Sequence, residues 1–299
     1  MTEGFSRITA DDGQTFVVSE RGEGSLVVLI HGFPDTPYEW EPTATRLAEA
    51  GYRTVAPWLR GYQPETTVEG LPYDAMTIGS DPVRLLDALG EREAIIVGHD
   101  WGAAISYSAA SLHPDRIRAI VPIAIPHPSL LPRNARSLWA ARHFIALKMP
   151  WAEGAVRRSG FAYIEKLYSR WAPDWSGPDR DRAIADVKRV FADGRNLHEA
   201  LNYYRALSFS APPREIARPP SVRALAVGGT TDLLGASGVY ERTAELLGEG
   251  SESLVVRGAG HWPHREDEEQ FHTRLLAFLA ESCAAGLSGG RSAGRGRRG

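Results

Sequence analysis

The chain has 299 residues, 43% of them hydrophobic and 24% charged, with a formal net charge of −3. That length buries one large core or two modest ones, and the small charge gives no general attraction to nucleic acid or an anionic membrane. A single cysteine, Cys283, excludes an internal disulfide and a cysteine-based metal cluster, while strand-sized apolar runs and a polar start over residues 1–9 lead us to expect a cytoplasmic protein.

In chain order, Phe5–Thr9 and Thr15–Val18 predict an antiparallel hairpin at one sheet edge. Ser25–Ile30, Arg53–Pro57, Ala94–Val97, Arg118–Ile123, Arg223–Val227 and Ser253–Val256 then read as core strands, rich in Val, Ile and Leu. Helical patterns at Tyr38–Ala50, Thr77–Leu89 and Ala103–Leu112 lie between several of them, and Glu268–Ser282 closes the series. Such alternation predicts an α/β protein whose mainly parallel sheet is covered on both faces. After Ile123 the alternation breaks, and Pro128 to Pro213 is helical in character. Its borders are marked by Pro126, Pro128 and Pro132, then Pro212, Pro213, Pro219 and Pro220. We therefore expect a helical cap over 128–215, inserted after the sixth strand between core parts 1–127 and 216–283. The Gly-, Ser- and Arg-rich tail 284–299 is expected to be disordered, with its arginines solvated.

The strand Ala94–Val97 runs into Gly98-His99-Asp100-Trp101-Gly102, ahead of a helix. Small residues on either side of a reactive group at such a junction make a nucleophile elbow, here with aspartate where serine is commoner. The turn is too sharp for side chains beside the nucleophile, hence the glycines. The helix N-terminus also favours the charged carboxylate. Taken alone, the segment reads better as a plain strand-to-helix turn with Asp100 as an ordinary helix cap. Its context favours chemistry. His31-Gly32-Phe33-Pro34 follows the third strand, where this architecture supplies one oxyanion-hole N–H; the residue after the nucleophile supplies the other. Those amides belong to Phe33 and Trp101. Asp232 follows the strand Ala224–Val227 in Gly228-Gly229-Thr230-Thr231-Asp232, and His261 follows Leu254–Val256 in Gly258-Ala259-Gly260-His261-Trp262. The order Asp100, Asp232, His261, each at the C-terminal end of a strand, is that of an α/β-hydrolase triad. The chemistry it predicts is a covalent ester on Asp100, cleaved by water that His261 and Asp232 activate.

With HGFP, GHDWGA, GGTTD and GAGHW in place, the chain resembles the α/β-hydrolase superfamily over roughly residues 4 to 282, and within it the epoxide hydrolase and haloalkane dehalogenase branch. The resemblance implies the α/β-hydrolase fold, an eight-stranded sheet flanked by helices, and no metal or organic cofactor. Epoxide hydrolases of this branch supply two cap tyrosines that protonate the opening ring. The segment Ala200-Leu201-Asn202-Tyr203-Tyr204-Arg205-Ala206 resembles the second of these motifs and makes Tyr204 the donor. At the first, seven residues before Pro150, the chain departs and has His143; a His–Tyr pair occurs in a minority of epoxide hydrolases and in fluoroacetate dehalogenases. Imidazole also donates hydrogen bonds.

A haloalkane dehalogenase is the second reading. A halide leaves as a stable anion and needs only hydrogen-bond donors, of which Trp101 is one. Phe33, where many dehalogenases carry Asn, is none. A binding protein without catalysis is the third reading, since fold does not fix function; the sign of it would be a missing triad member. Trp139, Trp151, Trp171 and Trp175 in the cap point to an apolar pocket and a small apolar epoxide-like substrate. Neither nucleic acid nor membrane is expected as a partner, and a homodimer is compatible with the sequence.

Overall fold

Residues 4–67, 72–130, 142–208, 213–234 and 238–292 are described by a computed structural model, 285–292 by their backbone alone. The apolar runs form one eight-stranded sheet in the order β1-β2-β4-β3-β5-β6-β7-β8. The strands are β1 (Ser6–Thr9), β2 (Thr15–Arg21), β3 (Ser25–Ile30), β4 (Tyr52–Pro57), β5 (Ala94–His99), β6 (Ile117–Ile123), β7 (Arg223–Gly229) and β8 (Glu252–Val256). β2 pairs antiparallel with β1 and β4, and all other pairings are parallel.

Neighbouring residues on a strand point to opposite faces, and here both faces are buried, which is why the strands read as unbroken apolar runs. Val28, Ile30, Ile96 and Ile120 share a core with Val83, Leu86 and Ile105 of the helices Asp81–Leu89 and Trp101–Leu112. Val27, Leu29, Val97 and Val121 pack instead with Leu47 of the helix Glu41–Glu49 and with Phe271, Leu275 and Phe278 of the helix Glu268–Ser292.

Prolines divide two of the expected helices. Tyr38–Ala50 begins as a 3-10 turn, Pro37–Trp40, and restarts at Glu41 with Pro42 in its first turn. Thr77–Leu89 becomes Ala75–Gly79 and Asp81–Leu89, because Pro82 has no N–H to continue the ladder. The helix Val239–Leu246 was not among the expected elements. The closing helix runs to Ser292, past the boundary expected at Ala284; no proline stops it, and helical hydrogen bonding continues through the small residues. The expected tail's residues 293–299 lie outside the described residues, as do Pro132, Trp139 and Pro212.

Between β6 and β7 come the helices Arg142–Lys148, Ala152–Trp171, Pro178–Ala192, Gly194–Ala206 and Arg214–Ala217. The second is interrupted at Arg158–Phe161, where Ser159, Gly160 and Phe161 have positive φ. The apolar faces of the first four join the core that contains Phe33 and Trp101, at the C-terminal end of the sheet. Polar anchors fix the packing: Tyr168 Oη donates to the Pro34 carbonyl at 3.0 Å and Tyr203 Oη to the Arg60 carbonyl at 3.2 Å. The His261 N–H donates to the Trp171 carbonyl at 2.9 Å. Among the described residues no helix is long and apolar enough to cross a membrane.

Candidate active site

β5 is buried along its whole length and delivers Asp100 to the turn with φ 51° and ψ −110°, a conformation that L-residues other than glycine rarely hold. Close packing enforces it. A Cβ on Gly98 would strike the Gly102 carbonyl, and one on Gly102 would strike the Ile30 carbonyl. Both obstacles are backbone atoms of packed elements, so Gly102→Ala is expected to destabilise the fold by about 2–3 kcal/mol. A urea unfolding midpoint equal to that of the wild type would contradict it.

The Asp100 side chain turns toward three elements. Its Oδ1 accepts from the Phe33 N–H at 2.9 Å. Its Oδ2 lies 3.4 Å from His261 Nε2, and His261 Nδ1 lies 2.9 Å from Asp232 Oδ2. Asp232 is steadied by the Leu234 N–H, which donates to Oδ1 at 3.0 Å. The three residues predicted from separate loops therefore converge, all of them buried. The Trp101 N–H sits in the first turn of its helix, where backbone donors have no intrahelical partner. The Phe33 N–H is the backbone donor that contacts the carboxylate.

Burial alone would lower the His261 pKa, but the carboxylates of Asp232 and Asp100 outweigh it and raise the value to about 10. Burial would likewise raise Asp100, and the hydrogen bond and charge of His261 hold it below the usual carboxylate range. The resting pair is thus carboxylate and imidazolium. Because His261 is raised above its ordinary 6.5, the stability it contributes is complete below that pH and is lost as pH climbs toward 10. The depressed Asp100 contributes above 3.8 and loses that contribution in acid. We expect the His261 imidazolium resonances to persist above pH 8 in NMR titration, about 1.5 units above the ordinary histidine range; titration near 6.5 would refute the pairing.

Tyr204 is buried with its ring edge-on to Phe33 and Trp101, centroids 5.1 and 5.3 Å apart. Burial, then the charge of Asp100, raise its pKa well above the ordinary phenol value, so it keeps its proton. Its neighbour Tyr203 is engaged with the Arg60 carbonyl. His143 lines a cavity of about 20 Å³ together with Asp100, Asp232 and His261. Its ring packs on Trp171, 4.9 Å between centroids, and Trp171 packs at the same distance on His261. Ile125, Phe144 and Leu234 complete an apolar wall. The cavity holds about one water in this closed arrangement. Of the cap tryptophans expected to line the pocket, Trp171 does so. Trp175 packs against Trp262 instead, and Trp151 is 66% exposed because it precedes the helix Ala152–Trp171 on its outer side.

Sequence reasoning assigned no role to several buried polar residues around the triad. His31 accepts from the Leu59 N–H at 3.0 Å through Nε2 and donates to the Gly32 carbonyl at 2.9 Å through Nδ1, which fixes the HGFP loop. His99, inside the elbow motif itself, holds the His261 carbonyl at 2.9 Å. Asp35 accepts from Trp262 Nε1 at 2.7 Å. Their adjacency to the known motifs was the available signal.

A profile of the family described as alpha/beta hydrolase fold matches residues 25–268. The chain is similar to the epoxide hydrolase of Caballeronia sordidicola, with 30% identity across 90% of this chain and 92% of that one. It is 38% identical to epoxide hydrolase 2 of Siraitia grosvenorii, across 90% and 96% of the two chains. Among solved structures, epoxide hydrolase A from Mycobacterium thermoresistibile shares the fold with a TM-score of 0.75 and 26% identity, over 92% of this chain and 98% of its own.

Proposed function

Since the chain belongs to the alpha/beta hydrolase fold family and matches epoxide hydrolases over most of its length, we propose that it converts an epoxide to a vicinal diol through an ester on Asp100. The observation that carries this reading is a buried aspartate on a strained elbow, paired with a His–Asp couple, with the buried Tyr204 packed on the rings of Phe33 and Trp101.

In the first step an Asp100 carboxylate oxygen attacks a ring carbon, the ring C–O bond breaks, and Tyr204 gives its proton to the departing oxygen. His143, on the same cavity, adds a hydrogen bond to that oxygen. Esterification removes the negative charge that had helped raise His261, so the imidazolium yields its proton by way of solvent to the Tyr204 phenolate. His261 becomes a base only after the ester exists. It then takes a proton from water, and the oxygen attacks the Asp100 carboxyl carbon. The Phe33 and Trp101 amides hold the resulting oxyanion. Collapse breaks the acyl C–O bond, the departing alkoxide takes the remaining carboxyl proton, and carboxylate and imidazolium are restored. We place the cap at 128–215 over this site. The substrate is small and apolar, and entry requires the cap side chains around the water-sized cavity to move.

The test is a panel of aryl and alkyl epoxides and haloalkanes, with diol and halide release measured together. Tyr204→Phe is expected to slow ring opening about 10²–10³-fold in single turnover. Unchanged epoxide rates would remove Tyr204 from the mechanism. The haloalkane reading keeps one supporting observation, since Trp101 Nε1 is buried without an acceptor and could hold a halide. Halide release without diol release would favour it. Cytoplasmic residence and a homodimer are proposed with this function, the latter to be tested by light scattering.

A further inference from the structure

His261 sits on the loop between β8 and the single-turn helix Pro263–Glu266. A general base must be held within about 0.5 Å of its working position. Residues 259–262 lie outside regular secondary structure, so that precision depends on where each peptide group finds a partner. In the Ala259–Gly260 peptide, the carbonyl accepts from Thr231 through its N–H and its Oγ1, both at 2.9 Å. The Gly260 N–H of the same unit donates to Glu266, 2.9 Å from each carboxyl oxygen. In the next peptide the His261 N–H reaches the Trp171 carbonyl at 2.9 Å, at a helix end where carbonyls have no intrahelical partner. In the His261–Trp262 peptide, the carbonyl accepts from His99 Nε2 at 2.9 Å, and the Trp262 N–H donates to Glu266 Oε1 at 3.0 Å.

Glu266 therefore holds the second end of two peptide planes, one on each side of His261. A peptide group held by its carbonyl alone still turns about that bond; held at both ends it does not. Position 260 cannot supply a side chain of its own for this purpose, because a Cβ there would strike the Trp171 carbonyl. The plain reading of Glu266 is a cap for the turn of helix that carries it. A cap accounts for the Trp262 N–H, at the N-cap position. It does not account for Gly260, which lies upstream of that position and outside the helix. Trp262 has further anchors, stacking on Tyr168 with 4.3 Å between centroids and donating through Nε1 to Asp35 at 2.7 Å. These fix the indole; the tilt of the two peptide planes is left to Glu266.

We propose that Glu266 is a positioning residue for the base: by holding the Gly260 and Trp262 amides it fixes the backbone from which His261 reaches Asp100 and Asp232. It acts as an acceptor and through the main chain. The kinetic consequence rests on His261 serving as the base of ester hydrolysis. Ester formation needs Asp100 and not the alignment of His261, so the two half-reactions should respond differently.

Glu266→Leu removes both acceptors and should slow ester hydrolysis about tenfold or more, with ester formation changed by less than about threefold. Quenched single-turnover reactions followed by intact mass give both rates per molecule of ester formed. A loss of folded protein then changes the amplitude and neither rate. Glu266→Gln keeps one oxygen in the place of Oε1, the atom that both amides reach. It should bring hydrolysis back to within about threefold of the wild type. A wild-type hydrolysis rate in Glu266→Leu, equal slowing of both steps, or a Glu266→Gln as slow as Glu266→Leu would each overturn the proposal. Should Glu266→Leu fail to fold, Glu266→Asp keeps the charge but draws the carboxyl group back from the amides. It should also slow hydrolysis, and a wild-type rate there would overturn the proposal too. One measurement needs no substrate. By NMR, the Gly260 and Trp262 amide protons should exchange with solvent about tenfold faster in Glu266→Leu than in the wild type. The His261 Nδ1 proton, facing Asp232 at 2.9 Å, should exchange faster with them, and Glu266→Gln should restore all three. If no substrate gives an ester, the epoxide reading falls and these exchange rates alone decide the role of Glu266: unchanged rates in Glu266→Leu remove it.

Discussion

Asp100→Ala is expected to lose turnover by about 10⁴-fold or more, to the detection limit of a diol assay. No other described carboxylate can replace it: Asp232 is committed to His261 at 2.9 Å, and Asp35 accepts from Trp262 Nε1 at 2.7 Å. Water in its place is a far weaker nucleophile and lacks the Phe33 N–H that now orients Oδ1 at 2.9 Å. A folding control accompanies the assay. His261 would lose one of the two carboxylates that raise it to about 10, so its pKa should fall. Its stability contribution is lost between 6.5 and the folded value, and the alkaline decline in Tm over that window should be shallower in the variant. Isotope placement gives a second check. A single turnover of the wild type in heavy-oxygen water should label the Asp100 carboxylate, because the water oxygen stays with the enzyme when the acyl bond breaks. Label appearing first in the diol would mean direct attack by water on the ring, and the nucleophile assignment would fall.

The sheet was legible because both of its faces are buried, so β3, β5 and β7 stand out as apolar runs with turn residues behind them. The convergence of Asp100, Asp232 and His261 was legible for a related reason: each sits immediately after a strand, in a fixed chain order, and needs no knowledge of side-chain packing. What escaped notice depends on contacts between distant segments. Glu39 meets His99 across 60 positions and His264 across 225, and nothing in the local sequence of any of them marks the meeting. Trp151 and Trp171 looked alike as cap aromatics, yet one faces solvent and the other lies against His261, a distinction set by where a helix begins. His143 was identified only by spacing to a proline, and the structure places it on the cavity with Asp100. The segment between β6 and β7 is where local pattern is weakest, since its helices are amphipathic toward a surface supplied by the rest of the chain.

His261→Gln should separate the two half-reactions. Glutamine keeps the approximate shape and can still donate to Asp232, but it cannot accept a proton from water, so ester hydrolysis is expected to fall about 10³–10⁴-fold. Asp100 remains free to attack, and mixing with a good substrate should convert the protein to its ester within one turnover. The mass of that ester carries more information than its existence. Ring opening expels nothing, so an epoxide adds its entire mass; a haloalkane adds its mass less one hydrogen halide. Intact-mass spectrometry on the trapped protein therefore distinguishes the two chemistries on the same residue. The pH dependence of trapping adds a further check. Without the imidazolium, the hydrogen bond and charge that hold Asp100 below the usual carboxylate range are gone, and its pKa should rise. Ester formation in the variant should then fade at a higher pH on the acid side than in the wild type, because only the carboxylate attacks. If no adduct forms while Asp100 is intact and the fold is preserved, the covalent route is wrong.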